Sequence, residues 1–199
     1  MTRVVAATGN AGKLGEIRAA LAEAGVEVTG IDALTDTTPI EETGTTYEEN
    51  ARLKAEGYSR RTEDLVLADD SGLEVEALEG APGIYSARYG SPTLSDRARC
   101  RAILKALIDT PEAQRGARFV CVIAIARGGT TLATFRGEVP GTILREMRGE
   151  GGFGYDPIFF YPPLGRAFGE LTREEKQQVS HRGVALRRSV SFFTKERGA

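Results

Sequence analysis

The first 70 residues alternate short apolar runs with repeats of helical spacing, and this alternation limits the fold more than any other feature. Val4–Ala7 is apolar and stops at a turn, and apolar residues then recur at helical spacing from Leu14 to Leu21. The capping box Thr46–Glu49 predicts a second helix, and Leu65–Ala68 reads as a buried strand after it. The pattern therefore predicts strands connected by helices.

A β-hairpin is predicted later in the chain. Arg118–Ala126 is apolar on both alternating faces, which is typical of an interior strand, and Gly128–Gly129 predicts a tight turn into Thr131–Val139. Further helices are predicted after the capping residues Ser95 and Thr172, and a last helix is predicted after Ser180. We therefore expect an α/β fold with a mixed central sheet flanked by helices, in a single domain over residues 1–199 with two lobes around a cleft.

The composition narrows the class of function. The chain has 199 residues, of which 41% are hydrophobic, so it can bury the core of one domain. Its longest apolar runs are too short to cross a bilayer and its start lacks a signal-peptide layout, so we expect a cytoplasmic protein with no membrane partner. Two cysteines and one histidine argue against a zinc site, and a net charge of −2 argues against a dedicated nucleic-acid binder.

The turn between the first predicted strand and helix reads Thr8-Gly9-Asn10-Ala11-Gly12-Lys13. Backbone N–H groups at a helix start and the Lys13 ammonium would meet there, which suits a phosphate group. The spacing does not fit a Walker A loop, because Leu14 stands where that loop has its metal-binding Ser or Thr. A plain glycine turn with a solvated lysine is the alternative.

Four carboxylates are expected at the ends of elements. Glu41 and Glu42 precede the second helix, and Asp69 and Asp70 follow the predicted strand Leu65–Ala68. Carboxylate oxygens with no neighbouring His or Cys suit Mg²⁺, and a carboxylate beside such an ion can deprotonate a water molecule. The alternative is that the aspartates form a turn or cap and that the glutamates are solvated.

The segment Gly151–Pro157 combines flexible backbone with two aromatic residues and Asp156. Aromatic faces stack on nucleobases, and a carboxylate can accept from a ring N–H, so this segment could bind a base. Lys176 and the run Ser180–Arg182 would supply donors for carbonyl or phosphate oxygens. Core packing and helix capping are the alternatives for these residues.

Taken in order, these motifs resemble the Ham1 family of inosine triphosphate pyrophosphatases over nearly the whole chain. The resemblance rests on Thr8–Lys13, Glu41–Gly44, Glu49–Ala51, Ala68–Leu73, Gly80–Tyr89, Gly151–Pro157 and Ser180–Gly183. It implies an enzyme that hydrolyses ITP, dITP and XTP to the nucleoside monophosphate and pyrophosphate. It also implies Mg²⁺ as cofactor, a nucleotide cleft between the lobes and a homodimer that removes these nucleotides from the pool.

The resemblance also assigns roles to residues. Asp70 would activate the attacking water and, with Glu41, would hold Mg²⁺. The substrate contacts would come from Thr8, Gly9, Asn10, Ala11, Gly12, Lys13, Ser71, Phe153, Gly154, Tyr155, Asp156, Lys176, His181 and Arg182. Among these, Phe153 would stack on the base, and Asp156, His181 and Arg182 would read the purine edge.

The sequence also allows other reactions and functions. The residues alone do not choose between attack on the α- and the γ-phosphorus, and the α-phosphorus is what the family implies. A magnesium-dependent phosphohydrolase of other nucleotides, including modified pyrimidines, and a non-catalytic nucleotide sensor are the alternative functions. The weaker suggestion of nucleic-acid binding would rest on Arg182, Arg187, Arg188, Lys195 and Arg197. The apolar surface of Thr131–Val139 is the expected dimer interface.

Overall fold

The computed structural model describes residues 2–22 and 24–196. Within them the strands are β1 (Thr2–Ala6), β2 (Val26–Gly30), β3 (Leu65–Val75), β4 (Gly116–Arg127), β5 (Thr130–Ile143), β6 (Phe159–Tyr161) and β7 (Arg166–Ala167). The α-helices are α1 (Ala11–Ala22), α2 (Tyr47–Ser59), α3 (Asp96–Ala106), α4 (Arg173–Val179) and α5 (His181–Glu196). Of the basic residues named above, Arg197 and the side chain of Lys195 lie outside this description.

The strands form a mixed sheet in the order β2-β1-β3-β4-β5-β6-β7. β1 pairs in parallel with both β2 and β3, whereas β6 pairs antiparallel with both β5 and β7. β4 connects to β5 through Gly128 and Gly129, whose φ angles of 56° and 84° are both in the left-handed region that a tight hairpin turn requires. The predicted mixed sheet with flanking helices is therefore confirmed, and so is the hairpin.

The helix starts follow their capping residues. Thr46 accepts a hydrogen bond from the Glu49 amide at the start of α2, and Thr172 accepts one from the Glu175 amide at the start of α4. In both cases the glutamate carboxylate accepts a hydrogen bond from the backbone N–H of the capping threonine, so the two predicted capping boxes are confirmed. α3 begins after Ser95 and α5 after Ser180, also as predicted.

β3 is longer than the sequence predicts. The strand was expected to end at Asp69, but it continues through Asp70 and Ser71 to Val75. The extension is favoured because Leu73 and Val75 are fully buried in an apolar core. The prediction that the two aspartates lie at an element end is therefore wrong. They lie within a strand, so their side chains point to its opposite faces.

The chain divides into two compact units, in agreement with the two predicted lobes. The first unit comprises residues 1–70, 121–137 and 182–199. Its apolar core includes Val4, Ile17, Leu21, Leu65, Ile123, Leu186 and Phe193. The helical repeat seen in the sequence of α1 therefore marks the face that packs into this core.

The second unit comprises residues 71–120 and 138–181. Its core contains a cluster of aromatic rings, in which the Phe119 and Phe159 centroids lie 4.4 Å apart and the Phe159 and Phe168 centroids lie 4.9 Å apart. Edge-to-face and tilted ring contacts of this kind stabilise a core beyond simple burial. α3 packs into the same core through Cys100 and Ile103.

None of the helices in the described residues is both long enough and apolar enough to span a membrane.

Candidate active site

The turn before α1 is held by side chains of the turn itself. The Asn10 backbone N–H donates to Thr8 Oγ1 over 3.1 Å. The Lys13 backbone N–H donates to the side-chain oxygen Asn10 Oδ1 over 3.0 Å, so Asn10 caps the helix. Gly9 is exposed, its φ is not positive, and no described atom lies within 4 Å of the position a Cβ would take. Neither backbone geometry nor packing requires glycine there, and the open space leaves room for a ligand to approach the backbone closely.

On one face of β3, Asp69 is enclosed by cations. Its Oδ2 atom lies 2.9 Å from Lys13 Nζ and 3.0 Å from Arg182 NH2, and the Asp69 side chain is 1% exposed. Arg182 also donates to Glu16 Oε2 over 2.5 Å. Burial alone would raise the pKa of Asp69, but the charges of Lys13 and Arg182 outweigh it and hold that pKa well below its usual range. Asp69 is therefore an ionised anchor for two cations.

On the opposite face of β3, Asp70 contacts α2. Asn50 Nδ2 donates to Asp70 Oδ2 over 3.2 Å, and Asn50 Oδ1 accepts from the Gly44 amide over 2.9 Å. Burial raises the pKa of Asp70, with Lys54 acting against this shift and Glu42 adding to it. A carboxylate whose pKa is raised in this way is a stronger base than an exposed aspartate.

Lys54 contacts both aspartates of β3 as well as Glu42. Its ammonium donates to the Asp69 carbonyl over 2.7 Å and lies 3.3 Å from Glu42 Oε1 and 3.9 Å from Asp70 Oδ1. Lys54 and Asn50 stand one helical turn apart on α2. Neither residue is predicted from the sequence to have a role, although two polar residues at this spacing, beside the buried Ala51 and Ala55, indicate a polar contact on the packed side of the helix.

The expected magnesium ligands were Glu41 and Asp70. The Glu41 side chain is exposed, and it is its neighbour Glu42 whose carboxylate shares the Lys54 cation with Asp70. In residues 2–22 and 24–196 no group of three or more His, Cys, Asp and Glu side chains could hold a metal ion. Mg²⁺ at nucleotide sites is commonly held by one or two carboxylates, with phosphate and water as the other ligands. The carboxylates of Glu42 and Asp70 have the oxygen chemistry that such a site requires.

In the second unit, Phe153, Asp156 and Lys176 form one compact group, here called the base set. Asp156 Oδ2 accepts from the Phe153 amide over 2.8 Å and from Lys176 Nζ over 2.6 Å. Lys176 Nζ lies 4.2 Å from the centroid of the Phe153 ring. Because Asp156 and Lys176 are both buried, the aromatic ring and the cation are held in a fixed relationship.

The remaining residues of the predicted second site have core contacts. The His181 ring is buried and stacks on Phe119 with centroids 4.6 Å apart. The Tyr155 hydroxyl donates to the Ser86 carbonyl over 2.8 Å, and burial raises the Tyr155 pKa above its usual range. Ser71 is half-buried within β3.

The predicted site residues are divided between the two units. Thr8–Lys13 and Asp70 lie in the first unit, and the base set lies in the second. Arg182, expected to read the purine edge, binds the carboxylates of Asp69 and Glu16 in this structure. Its role toward the purine stays a prediction. Glu16, the second carboxylate of this cluster, is not among the predicted residues. Its position one helical turn after Lys13 on α1 is the sequence feature that indicates it.

Comparison with known proteins gives a consistent result. The sequence model of the Ham1 family matches residues 4–192. A dITP/XTP pyrophosphatase of Shigella flexneri is 49% identical over 194 residues, which cover 94% of this chain and 95% of that protein. One of Exiguobacterium sibiricum is 45% identical over 192 residues, covering 96% and 97%. The solved structure of the Staphylococcus aureus Ham1 protein matches with a TM-score of 0.86 at 42% identity, covering 98% of this chain and all of that one. The chain therefore belongs to the Ham1 family.

Proposed function

We propose that this protein hydrolyses non-canonical purine nucleoside triphosphates, namely ITP, dITP and XTP, to the nucleoside monophosphate and pyrophosphate. The observation that carries the proposal is the pair Asp69 and Asp70 on β3. On one face of the strand, Asp69 forms ion pairs with Lys13 and Arg182. On the other face, Asp70 contacts Asn50 and Lys54. A lysine held beside a carboxylate of raised pKa, with further cations anchored at the neighbouring residue of the strand, is what phosphoanhydride hydrolysis needs. Relatives at 45% and 49% identity carry the name dITP/XTP pyrophosphatase.

The first unit supplies groups for the triphosphate. The amides at the start of α1 and the Lys13 ammonium would bind phosphate oxygens, and Gly9 would let them approach the backbone closely. One donor of the Lys13 ammonium is engaged by Asp69, which fixes its position and leaves others for phosphate. Lys54 would stabilise the negative charge that develops as the leaving group departs.

Asp70 would act as the proton acceptor. A water molecule attacks the α-phosphorus in line, Asp70 takes the proton from that water, and the bond to the bridging oxygen of pyrophosphate breaks. The hydrogen bond from Asn50 fixes the direction in which the Asp70 carboxylate points. Because Asn50 is itself held by the Gly44 backbone amide, the Asp70 carboxylate is preorganised as the proton acceptor.

Asp70 and Glu41 would hold Mg²⁺, and the neighbouring Glu42 offers a further carboxylate of the right chemistry. When bound with the nucleotide, the ion would neutralise part of the triphosphate charge.

The base set would bind the purine. Phe153 would stack on the ring, and the buried Lys176 ammonium would donate to a 6-keto oxygen. A cation at that position disfavours the 6-amino group of adenine, which also carries hydrogen atoms and offers no acceptor there. Hypoxanthine and xanthine both present the keto group.

The experiment that tests the function is pyrophosphate release from ITP, XTP, GTP and ATP with Mg²⁺, with free phosphate measured in parallel. We expect pyrophosphate from ITP and XTP and little from ATP. Free phosphate without pyrophosphate would indicate a different phosphohydrolase, and tight ITP binding without product would indicate a nucleotide sensor. Either result would overturn the proposed reaction.

We further propose that the enzyme works as a homodimer in the cytoplasm, where the nucleotide pool is. Leu132, on the β5 arm of the hairpin, is 45% exposed and supports the hairpin as the interface. Sedimentation of Leu132→Glu would test it, with a shift to monomer as the expected result and an unchanged dimer as the contrary one.

A further inference from the structure

α3 contacts the segment that carries Phe153 through two of its side chains. The Gly154 amide donates to Asp96 Oδ2 over 2.7 Å, and the Cys100 thiol donates to the Gly154 carbonyl over 3.3 Å. Asp96 and Cys100 are four residues apart, so they lie on the same face of α3. One residue of the segment is therefore bound on both its backbone groups by one helix.

These two bonds fix two successive peptide planes. The Gly154 N–H belongs to the peptide that joins it to Phe153, and the Gly154 carbonyl belongs to the peptide that joins it to Tyr155. Gly154 has a φ of 62°, a conformation that glycine adopts readily and that side-chain-bearing residues rarely adopt. The two hydrogen bonds to α3 fix this conformation. The 2.7 Å bond to a carboxylate is of the short, charge-assisted kind.

The Cys100 thiol is suited to its part in this arrangement. It is fully buried, and burial raises its pKa to about 12, so it stays protonated and able to donate. The Asp96 side chain is 50% exposed, and it also accepts from Arg99 over 3.0 Å, which orients its carboxylate. The neighbouring Phe153 amide is taken by Asp156, so the Phe153 backbone is bound on both sides of its Cα.

We propose that Asp96, assisted by Cys100, is a positioning residue for purine binding. Asp96 holds the peptide before Gly154 and Cys100 holds the peptide after it, and together they set the direction in which the Phe153 ring is presented to the base. The inference rests on the proposed function, because it assumes that Phe153 binds a purine. It predicts that Asp96 contributes to binding of the base and not to binding of the phosphates or to the chemical step.

Asp96 also stands in the first turn of α3, where a negative charge stabilises the helix dipole. A residue with that role alone would affect stability and leave nucleotide recognition unchanged. The test therefore needs a readout that helix stability does not move.

The experiment compares Asp96→Ala, Asp96→Asn and the control Arg97→Ala, an exposed neighbour in the same turn. For each variant we would measure kcat and KM for ITP, the Ki of inorganic tripolyphosphate as competitor, and folding by circular dichroism. Tripolyphosphate has no base, so it reports on the phosphate groups alone. We expect Asp96→Ala to raise KM about tenfold, the size expected for loss of a charge-assisted hydrogen bond, with kcat and the tripolyphosphate Ki unchanged.

The remaining variants sharpen the result. Asp96→Asn keeps an acceptor oxygen and should restore much of the lost affinity, and Arg97→Ala should behave like the parent protein. Cys100→Ser keeps a donor and Cys100→Ala does not, so the second should raise KM for ITP more than the first. A folded Asp96→Ala variant with unchanged KM, or with KM and the tripolyphosphate Ki raised together, would overturn the inference. Failure of the parent protein to turn over ITP would instead remove the proposed function.

Discussion

Arg182 and Asp69 form an ion pair in which both side chains are 1% exposed, with 3.0 Å between Arg182 NH2 and Asp69 Oδ2. The same guanidinium donates to Glu16, so Arg182 contacts two carboxylates that are buried in the first unit, and Lys13 supplies the second positive charge at Asp69. Removing one partner from a buried pair leaves an uncompensated charge, and this costs more than the pair itself contributes.

Arg182→Met should therefore lower the free energy of unfolding by about 3–5 kcal/mol. Urea denaturation followed by circular dichroism measures it, with Arg187→Met, an exposed arginine on the same helix, as the control expected to stay within about 0.5 kcal/mol. An Arg182→Met variant as stable as the control would contradict the structural role of the pair, and a lost preference for ITP would support the purine-reading role that the resemblance implies.

This pair also shows how far a sequence carries such a prediction. The order of strands and helices, the capping boxes and the Gly128–Gly129 turn follow from local rules, and local rules were sufficient for them. The placement of Arg182 does not follow from local rules, because its partner Asp69 is 113 residues away in sequence. The end of β3 was missed for a similar reason, since the burial of Leu73 and Val75 is decided by the core of the second unit.

Lys54→Met should lower kcat about 100-fold, which is typical for loss of one preorganised electrostatic group. The physical reason is that Glu42 and Asp70 lose the cation they share, and like charges then face each other. Steady-state pyrophosphate release measures it. Lys54→Arg should recover part of the rate, and Arg52→Met, on the exposed side of α2, should not change it. Equal rates for Lys54→Met and Arg52→Met would remove Lys54 from the site.

Gly9→Ala should weaken nucleotide binding without loss of stability. A methyl group at Gly9 meets no described atom within 4 Å and the backbone tolerates it, so only a ligand would be obstructed. Calorimetric titration with a non-hydrolysable ITP analogue measures the affinity. Gly128→Ala is the matched contrast, since its φ of 56° predicts a cost in stability of about 1 kcal/mol with unchanged binding. Unchanged affinity in Gly9→Ala would return this turn to a purely structural role.

The alkaline stability of the protein should depend on Cys121. This thiol is fully buried, and burial raises its pKa to about 12 from an ordinary value of 9.0. A raised pKa in the folded state gives stability that is present below pH 9.0 and is lost as the pH rises toward about 12.

Relative to Cys121→Val, which does not titrate, the free energy of unfolding of the parent protein should fall over this alkaline range. Urea denaturation of both proteins at several pH values measures the difference. A constant difference across the range would show that the thiol does not carry the effect.

The most direct test of the proposed chemistry is the rate of pyrophosphate release from ITP by Asp70→Asn beside the parent protein, at saturating Mg²⁺ and substrate. Asparagine keeps the shape and the contact with Asn50 but cannot take a proton from water. If Asp70 is the base, the rate should fall about 10²- to 10⁴-fold while the urea midpoint does not fall. A folded Asp70→Asn variant that releases pyrophosphate at close to the parent rate would contradict the assignment of Asp70 as the base.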